Sequence, residues 1–278
     1  ELGGERHRLE RVEAGYHQLL LPAAHGDRYA YWLDEVGPYP DPRSRWQPEG
    51  PFGPSAVVDY RQFEWKDHAF RARPLASAIF YELHVGTFTP GGTFDTAIEK
   101  LPYLRDLGVT HVELMPVCEF PGDRGWGYDG VDLFAPHHAY GGPAGLHRFV
   151  QAAHDHDLAV MIDVVYNHLG PSGNFLGKFG PYFVHDVKTM WGDAINFTGR
   201  HSDEVRRFFL DNALMWYRDY HVDGLRLDAV GAYGDTSSYH FLQQLRDEVD
   251  MLEAHLGRPL ILVAESDQND PRIVRSPE

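Results

Sequence analysis

Cysteine is nearly absent from this chain of 278 residues, where Cys118 is the only one. No intrachain disulfide can form, which fits a reducing compartment and a cytoplasmic protein. Long apolar runs are also missing. Nothing approaches the roughly 18 consecutive apolar residues that a membrane-crossing helix needs, so no membrane role is expected. Basic residues are in the minority, with 25 Lys and Arg against 41 Asp and Glu and a net charge of −16. Nucleic-acid surfaces draw their affinity from clustered Lys and Arg, so a neutral or cationic partner is expected and nucleic acid is not. No GxGxxG or GxxxxGKS follows the first strand-like segment, which removes the usual nucleotide signatures. HExxH and CxxC are absent too, and although there are seventeen His, no metal and no cofactor are expected. The opening ELGGERHRLE has neither an initiator Met nor the basic start and apolar run of a signal peptide, and reads as a piece of a longer chain.

What the chain does have is ordinary globular composition, 43% hydrophobic and 24% charged, with aromatics at 13%. Flat aromatic faces stack on sugar rings as readily as they fill cores. Residues 1 to 60 alternate in short pieces, HRLERVEA, YHQLLLP and RYAYWLDEV, between Gly and Pro, which predicts half-buried antiparallel strands and a partial β-sandwich. A connector rich in Pro and Gly, GPYPDPRSRWQPEGPFGPS, runs on to residue 77 and is expected to be ordered because Trp46 and Phe52 give it something to bury. From residue 78 to 278 the pattern becomes strand then helix, repeated. Strands are predicted in AIFYELHV, VTHVELMPV, LAVMIDVVY, VDGLRLDAV and PLILVAE. Helices are predicted in FDTAIEKLPYLRDLG with a stop at Gly108, in GLHRFVQAAHDHD, in DEVRRFFLDNALMWYRDY and in SSYHFLQQLRDEVDMLEAHL. Such repeats make a parallel sheet with right-handed crossovers. Helix lengths and loop placement favour an α/β fold of the TIM-type (β/α) barrel, truncated after about the fifth strand of eight.

Three of these strands end in polar groups. GLRLDAV (224 to 230) and LILVAES (260 to 266) run apolar residues into a single carboxylate, and MIDVVYNH (161 to 168) ends in a polar cluster. Strands buried on both faces have no need of a terminal acid, and the C-terminal ends of parallel strands are where α/β folds place chemistry. Asp228 and Glu265 are the candidate catalytic pair. Arg226 shares a face with Asp228, since side chains at i and i+2 point the same way, and its guanidinium favours the ionised form of Asp228. The apolar approach to Glu265 favours a retained proton. One ionised and one protonated carboxyl is the pattern of glycoside hydrolysis. Asp163 and Val165 share a face of the third strand, and Asn167 and His168 just beyond it are placed to hold a substrate hydroxyl. RGWGYDGVD (124 to 132) sets Trp126 and Tyr128 between glycines, where aromatic rings offer a stacking surface. HDHD at 154 to 157 is expected to be a solvated helix end.

Taken in order, DVVYNH, GLRLDAV and AES resemble three of the four conserved regions of the α-amylase superfamily of glycoside hydrolases. YELHVGTFTPGGTF, LPYLRDLGVTHVELMPVCEF and RGWGYDG narrow the resemblance to the branch of trehalohydrolases, branching enzymes and debranching enzymes. YNHLGPSGNFL, FGPYF, WGDAINF, AESDQNDPRIV and the connector are most similar to the trehalohydrolases. The resemblance implies Asp228 as nucleophile and Glu265 as general acid/base. It also implies Arg226 holding the nucleophile ionised, His168 at the cleaved sugar and Tyr128 stacked beneath it. The implied partner is malto-oligosyl trehalose or a related α-glucan, cut at the α-1,4 bond next to its terminal trehalose. Gly231 departs from the His often found three residues after the nucleophile. The superfamily's fourth region, with its third essential carboxylate, would lie in a missing C-terminal part of the barrel, so this piece is expected to be inactive alone. A branching enzyme is the nearest rival, but those usually carry DWVPAHF where this chain has DVVYNHL. A glycan-binding relative without catalysis is the other.

Overall fold

The structure, a computed structural model, describes residues 1–273. The end of the AESDQNDPRIV motif, Val274, lies outside the described residues. Five parallel strands form the central sheet: β1 (Phe80–Leu83), β2 (His111–Leu114), β3 (Ala159–Val164), β4 (Gly224–Leu227) and β5 (Ile261–Ala264). They lie side by side in chain order. A doubly wound sheet reverses its order at a switch point and a barrel does not, so this order supports the barrel reading. β3 sits in the middle and is buried at all six residues, which explains why AVMIDV is apolar apart from Asp163. β1 and β5 have no outer partner strand among the described residues.

Helices α1 (Leu101–Leu107), α2 (Gly142–Asp155), α3 (Ser202–Asp219) and α4 (Phe241–Leu256) follow the strands. Each turns an apolar stripe inward, as Leu146, Phe149, Val150 and Ala153 do on α2 and Phe209, Ala213 and Trp216 do on α3. Gly108 ends α1 at φ 94°, the left-handed conformation that glycine adopts without a Cβ clash. The single helix predicted from residue 94 is two pieces, Phe94–Ile98 and α1. Pro102 sits in the first turn of α1, where it starts a helix but could not continue one. No described helix is long and apolar enough to cross a membrane.

The two facing sheets of a sandwich are not found among the described residues 1 to 60. Instead there are three separate two-stranded pairs: Glu10–Arg11 with His17–Gln18, Arg28–Tyr29 with Ser55–Ala56, and Tyr31–Leu33 with Val36–Tyr39. Strands of two to four residues cannot build a common inner face, and the first pair is exposed throughout. The connector is ordered; Trp46 is half-buried and stacks on His25 at 5.4 Å, whereas Phe52 is 64% exposed, and ion pairs supply further anchors. Arg43 Nη1 reaches Asp211 on α3 at 2.6 Å and Arg45 Nη1 reaches Asp219 at 3.1 Å, with both guanidinium groups over the Phe134 ring.

A buried ionic cluster pins the connector to the N-terminal ends of the strands. His154, near the end of α2, lies between Asp67 Oδ2 at 2.8 Å and Asp223 Oδ2 at 2.9 Å. Asp223 also accepts from the Val160 N–H at 2.9 Å and from Arg258 at 3.2 Å. His154 is therefore a buried ion-pair residue rather than part of a solvated helix end. Its charge is useful there because two carboxylates converge on it.

Candidate active site

The loops after β2 and β3 rise from the C-terminal ends of the strands, and each contains its own hairpin. Cys118–Glu119 pairs with Asp132–Pro136 in the first, and Phe183–Thr189 with Gly192–Ile195 in the second. Beneath them the candidate residues meet. Asp163 and Arg226 are register partners on β3 and β4, and Arg226 faces Val263 on β5. Leu227 pairs with Ala264, so Asp228 and Glu265 leave neighbouring strands in step.

Arg226 is the hub. Its Nη1 donates to Asp163 Oδ2 at 2.7 Å and to Asp228 Oδ1 at 2.8 Å, while its Nη2 lies 3.0 Å from Glu265 Oε2. Asp228 receives a second donor, Asn167 Nδ2, at 2.6 Å on Oδ2. Asn167 Oδ1 in turn faces His168 Nδ1. Two donors hold the Asp228 carboxylate in place with one oxygen against each. Tyr128 OH donates to Asp163 Oδ2 at 2.9 Å, and its proton is held tightly, first by burial and then by the Asp163 charge. Burial also lowers the His168 imidazole below its ordinary value, against the pull of Asp228 and Asp129, which favours the neutral ring. All six residues expected at the site, Asp228, Glu265, Tyr128, Asn167, His168 and Arg226, are thus brought into one network.

Glu265 is not in the dry surroundings its sequence approach suggested. Its side chain is 50% exposed, and Oε2 lies 3.0 Å from Arg226 Nη2 and accepts from the Ala229 N–H at 2.8 Å. The apolar residues Leu262 to Ala264 flank the strand, whereas the side chain itself leaves the strand end toward solvent.

Two residues at the site were not singled out as such from sequence. Asp163, fully buried, is pushed up to about 7 by desolvation despite the hydrogen bonds from Arg226 and Tyr128. Strand periodicity put it on the same face as Val165, but only the register shows Arg226 opposite. Trp191, in the second hairpin, stacks on His168 at 5.2 Å and 15° between planes. No local pattern carries that contact, since a long loop delivers it.

Close approaches of glycine fix the loops. A Cβ on Gly170 would lie 2.2 Å from the Asp129 carbonyl oxygen. The Gly170 N–H donates to the Gly130 carbonyl at 3.1 Å, so the loops after β2 and β3 touch backbone to backbone. A Cβ on Gly231 would meet only the end of the Gln268 side chain, at 2.8 Å. Gln268 therefore fills the space beside Gly231, the position where the family often has His. Gly170→Ala is expected to cost about 1–3 kcal/mol in a urea melt. Gly231→Ala should cost less than about 1 kcal/mol, because Gln268 can swing away. Equal losses would show that the backbone contact at Gly170 is not tight.

Among the described residues one group could offer metal-ligand atoms, Glu119, His137 and His138, all within 4.8 Å of one another. Glu119 Oε1 lies 2.9 and 2.8 Å from the two Nδ1 atoms, and Oε2 accepts from the His138 N–H at 2.8 Å. These hydrogen bonds close the first hairpin.

The chain resembles known proteins in the same direction as the geometry. The family model for the α-amylase catalytic domain matches residues 61–180. A malto-oligosyltrehalose trehalohydrolase from Arthrobacter ramosus is 52% identical over 271 residues, 96% of this chain and 47% of the relative. A 1,4-α-glucan branching enzyme from Vibrio cholerae is 35% identical over 85% of this chain and 36% of its own. The crystal structure of an amylase-like protein from Salmonella typhimurium superposes with a TM-score of 0.92 at 41% identity, covering 96% of this chain and 45% of that one. The chain spans about half the length of the curated relatives it matches. A parallel sheet in barrel order, an Arg-bridged carboxylate pair at its strand ends and these likenesses point the same way: over nearly its whole length the chain is similar to malto-oligosyltrehalose trehalohydrolases, and over residues 61–180 to the α-amylase catalytic domain.

Proposed function

We propose that this chain carries the nucleophile and the general acid/base of a retaining glycoside hydrolase that releases trehalose from malto-oligosyl trehalose. The observation that carries it is that Asp228 and Glu265 follow register-paired residues on neighbouring strands and share one guanidinium. Neighbouring strands lie about 4.8 Å apart. A backbone spacing of that order supports the roughly 5 Å carboxyl separation of retaining enzymes over the wider one that admits an attacking water. Asp228 would attack the anomeric carbon while Glu265 protonates the departing oxygen. Glu265 would then take a proton from the water that frees the sugar from Asp228. Arg226 and Asn167 keep the attacking carboxylate oriented, and Tyr128 and His168 would contact the sugar ring. Greater identity to trehalohydrolases than to the branching enzyme supports water as acceptor.

The five strands would be the first five of eight, with the third carboxylate supplied by further chain. The 47% coverage of relatives supports this reading. A buried, lone Cys118 supports a cytoplasmic setting. The test is a product assay on malto-oligosyl trehalose and on plain maltodextrin. The 278-residue chain alone should release no trehalose. The protein completed with the remaining strands should release trehalose from the first substrate and leave the second unchanged. Trehalose release by the chain alone would refute the need for a further carboxylate, and transfer to a sugar hydroxyl would favour a branching enzyme.

A further inference from the structure

Glu119, His137 and His138 converge at the base of the hairpin that carries RGWGYDG, and the chemistry proposed above uses none of them. The side chains of Glu119 and His137 are fully buried, and that of His138 is 23% exposed. Glu119 and His137 are 18 positions apart, so no short pattern such as HExxH announces the group. The hairpin pairing assembles it. The His137 N–H donates to the Val117 carbonyl at 2.8 Å, and the Val131 N–H donates to the Glu119 carbonyl at 2.9 Å, which fixes the backbone under both side chains. Glu119 Oε2 is held by the His138 N–H at 2.8 Å, leaving Oε1 to face the two Nδ1 atoms.

We infer that these three side chains form a binding site for a first-row divalent cation, with zinc as the ion that fits, at the root of the loop that places Tyr128. Two imidazole nitrogens and one carboxylate oxygen are a zinc donor set, whereas calcium and magnesium take oxygen ligands. Two neighbours point the same way. Asp123 Oδ1 lies 3.4 Å from His138 Nε2, where a carboxylate takes up the outer N–H of a metal-ligating histidine. A neutral His138 that instead donates from Nδ1 to Glu119 would turn a bare nitrogen toward Asp123. Asp132 is the register partner of Glu119 across the hairpin, so its side chain stands on the same face. It is 4% exposed, and its Oδ2 is buried without a hydrogen-bond partner among the described residues. Two buried carboxylates on one face, neither paired with Lys or Arg among the described residues, call for a cation. Ligands roughly 2.0–2.1 Å from zinc in a tetrahedron stand about 3.4 Å apart. The group has to open by about half an ångström, which His138 at its edge can supply, and water takes the fourth position. The ion then ties the loop holding Tyr128, and with it the hydrogen bond to Asp163, to the sheet.

The experiment uses the completed protein, stripped with EDTA and titrated calorimetrically with Zn²⁺. One zinc per chain should bind, and Tm should rise with Zn²⁺ but not with Ca²⁺ or Mg²⁺. Asp123→Asn should weaken binding about tenfold, and His138→Ala, which removes a ligand, by more than roughly a hundredfold. His255→Ala, at an exposed histidine elsewhere, should change nothing. X-ray absorption of the zinc-loaded unmodified protein, which needs no variant to fold, should show two imidazoles per zinc. Absence of zinc binding overturns the site, as do an affinity unaltered in a folded His138→Ala protein, Ca²⁺ binding as tight as Zn²⁺, or fewer than two imidazoles around the ion.

Discussion

Asp228→Asn in the completed protein should reduce kcat for trehalose release by roughly 10⁴-fold or more, the scale seen when a covalent nucleophile is removed. The carboxamide has no anionic oxygen to displace the leaving sugar, so the loss belongs in kcat while glucan affinity is largely retained. The substitution has a structural cost as well. Asp228 accepts from Arg226 on one oxygen and from Asn167 on the other, and an Asn must point its NH₂ at one of these donors. Asn167 cannot simply turn round, because its own oxygen faces His168. A stability loss of about 1–3 kcal/mol is expected from that donor-to-donor contact. A thermal melt alongside the kinetics separates the two effects. Turnover that survives in a folded Asp228→Asn protein would remove Asp228 as nucleophile. Glu265→Gln should behave differently, with a loss that shrinks on substrates whose leaving group needs no protonation.

The proposed catalytic pair was legible because it is written in local pattern. Apolar runs ending in Asp228 and Glu265 reveal buried parallel strands and the acids at their mouths, and i, i+2 spacing gives Arg226 its direction. The environment of Glu265 was not legible, since the residues before it describe the strand rather than the space beyond its end. Asp163 shows the same limit. Its face could be read, but the Arg226 contact depends on the register between β3 and β4. Residues 1 to 60 alternate as strands do, yet alternation says nothing about whether a second sheet lies opposite. His154 was misread because its burial depends on Asp67, 87 positions earlier, and on Asp223, 69 positions later.

His154→Ala is expected to cost roughly 3–5 kcal/mol of stability, the penalty for stranding buried carboxylates. That is a large part of the stability of a typical domain. Among the described residues Asp67 would keep His221, at 2.9 Å. Asp223 would keep Arg258 and the Val160 N–H, so the lower end of the range is favoured. The same cluster sets a pH dependence. Burial alone would lower His154, but hydrogen bonds and charge from Asp223 and Asp67 outweigh it and raise the imidazole to about 8. Its ordinary value is about 6.5. Because the folded value is the higher one, the stabilisation is complete below about pH 6.5 and is lost as pH rises through about 8, a difference of about 2 kcal/mol. Asp67 has the opposite sign. Burial acts upward, but His154 and His221 hold its carboxyl well below the usual range, so its contribution is present above about pH 4 and lost as pH falls. Asp163, raised by burial to about 7, also favours the fold at lower pH, but its window closes by neutrality. Urea melts at pH 6 and pH 9 should show the His154 loss, and His154→Gln should flatten the change above neutrality while leaving the slope from Asp163 in place. An unaltered profile in His154→Gln would mean that the connector is not held by a charged His154.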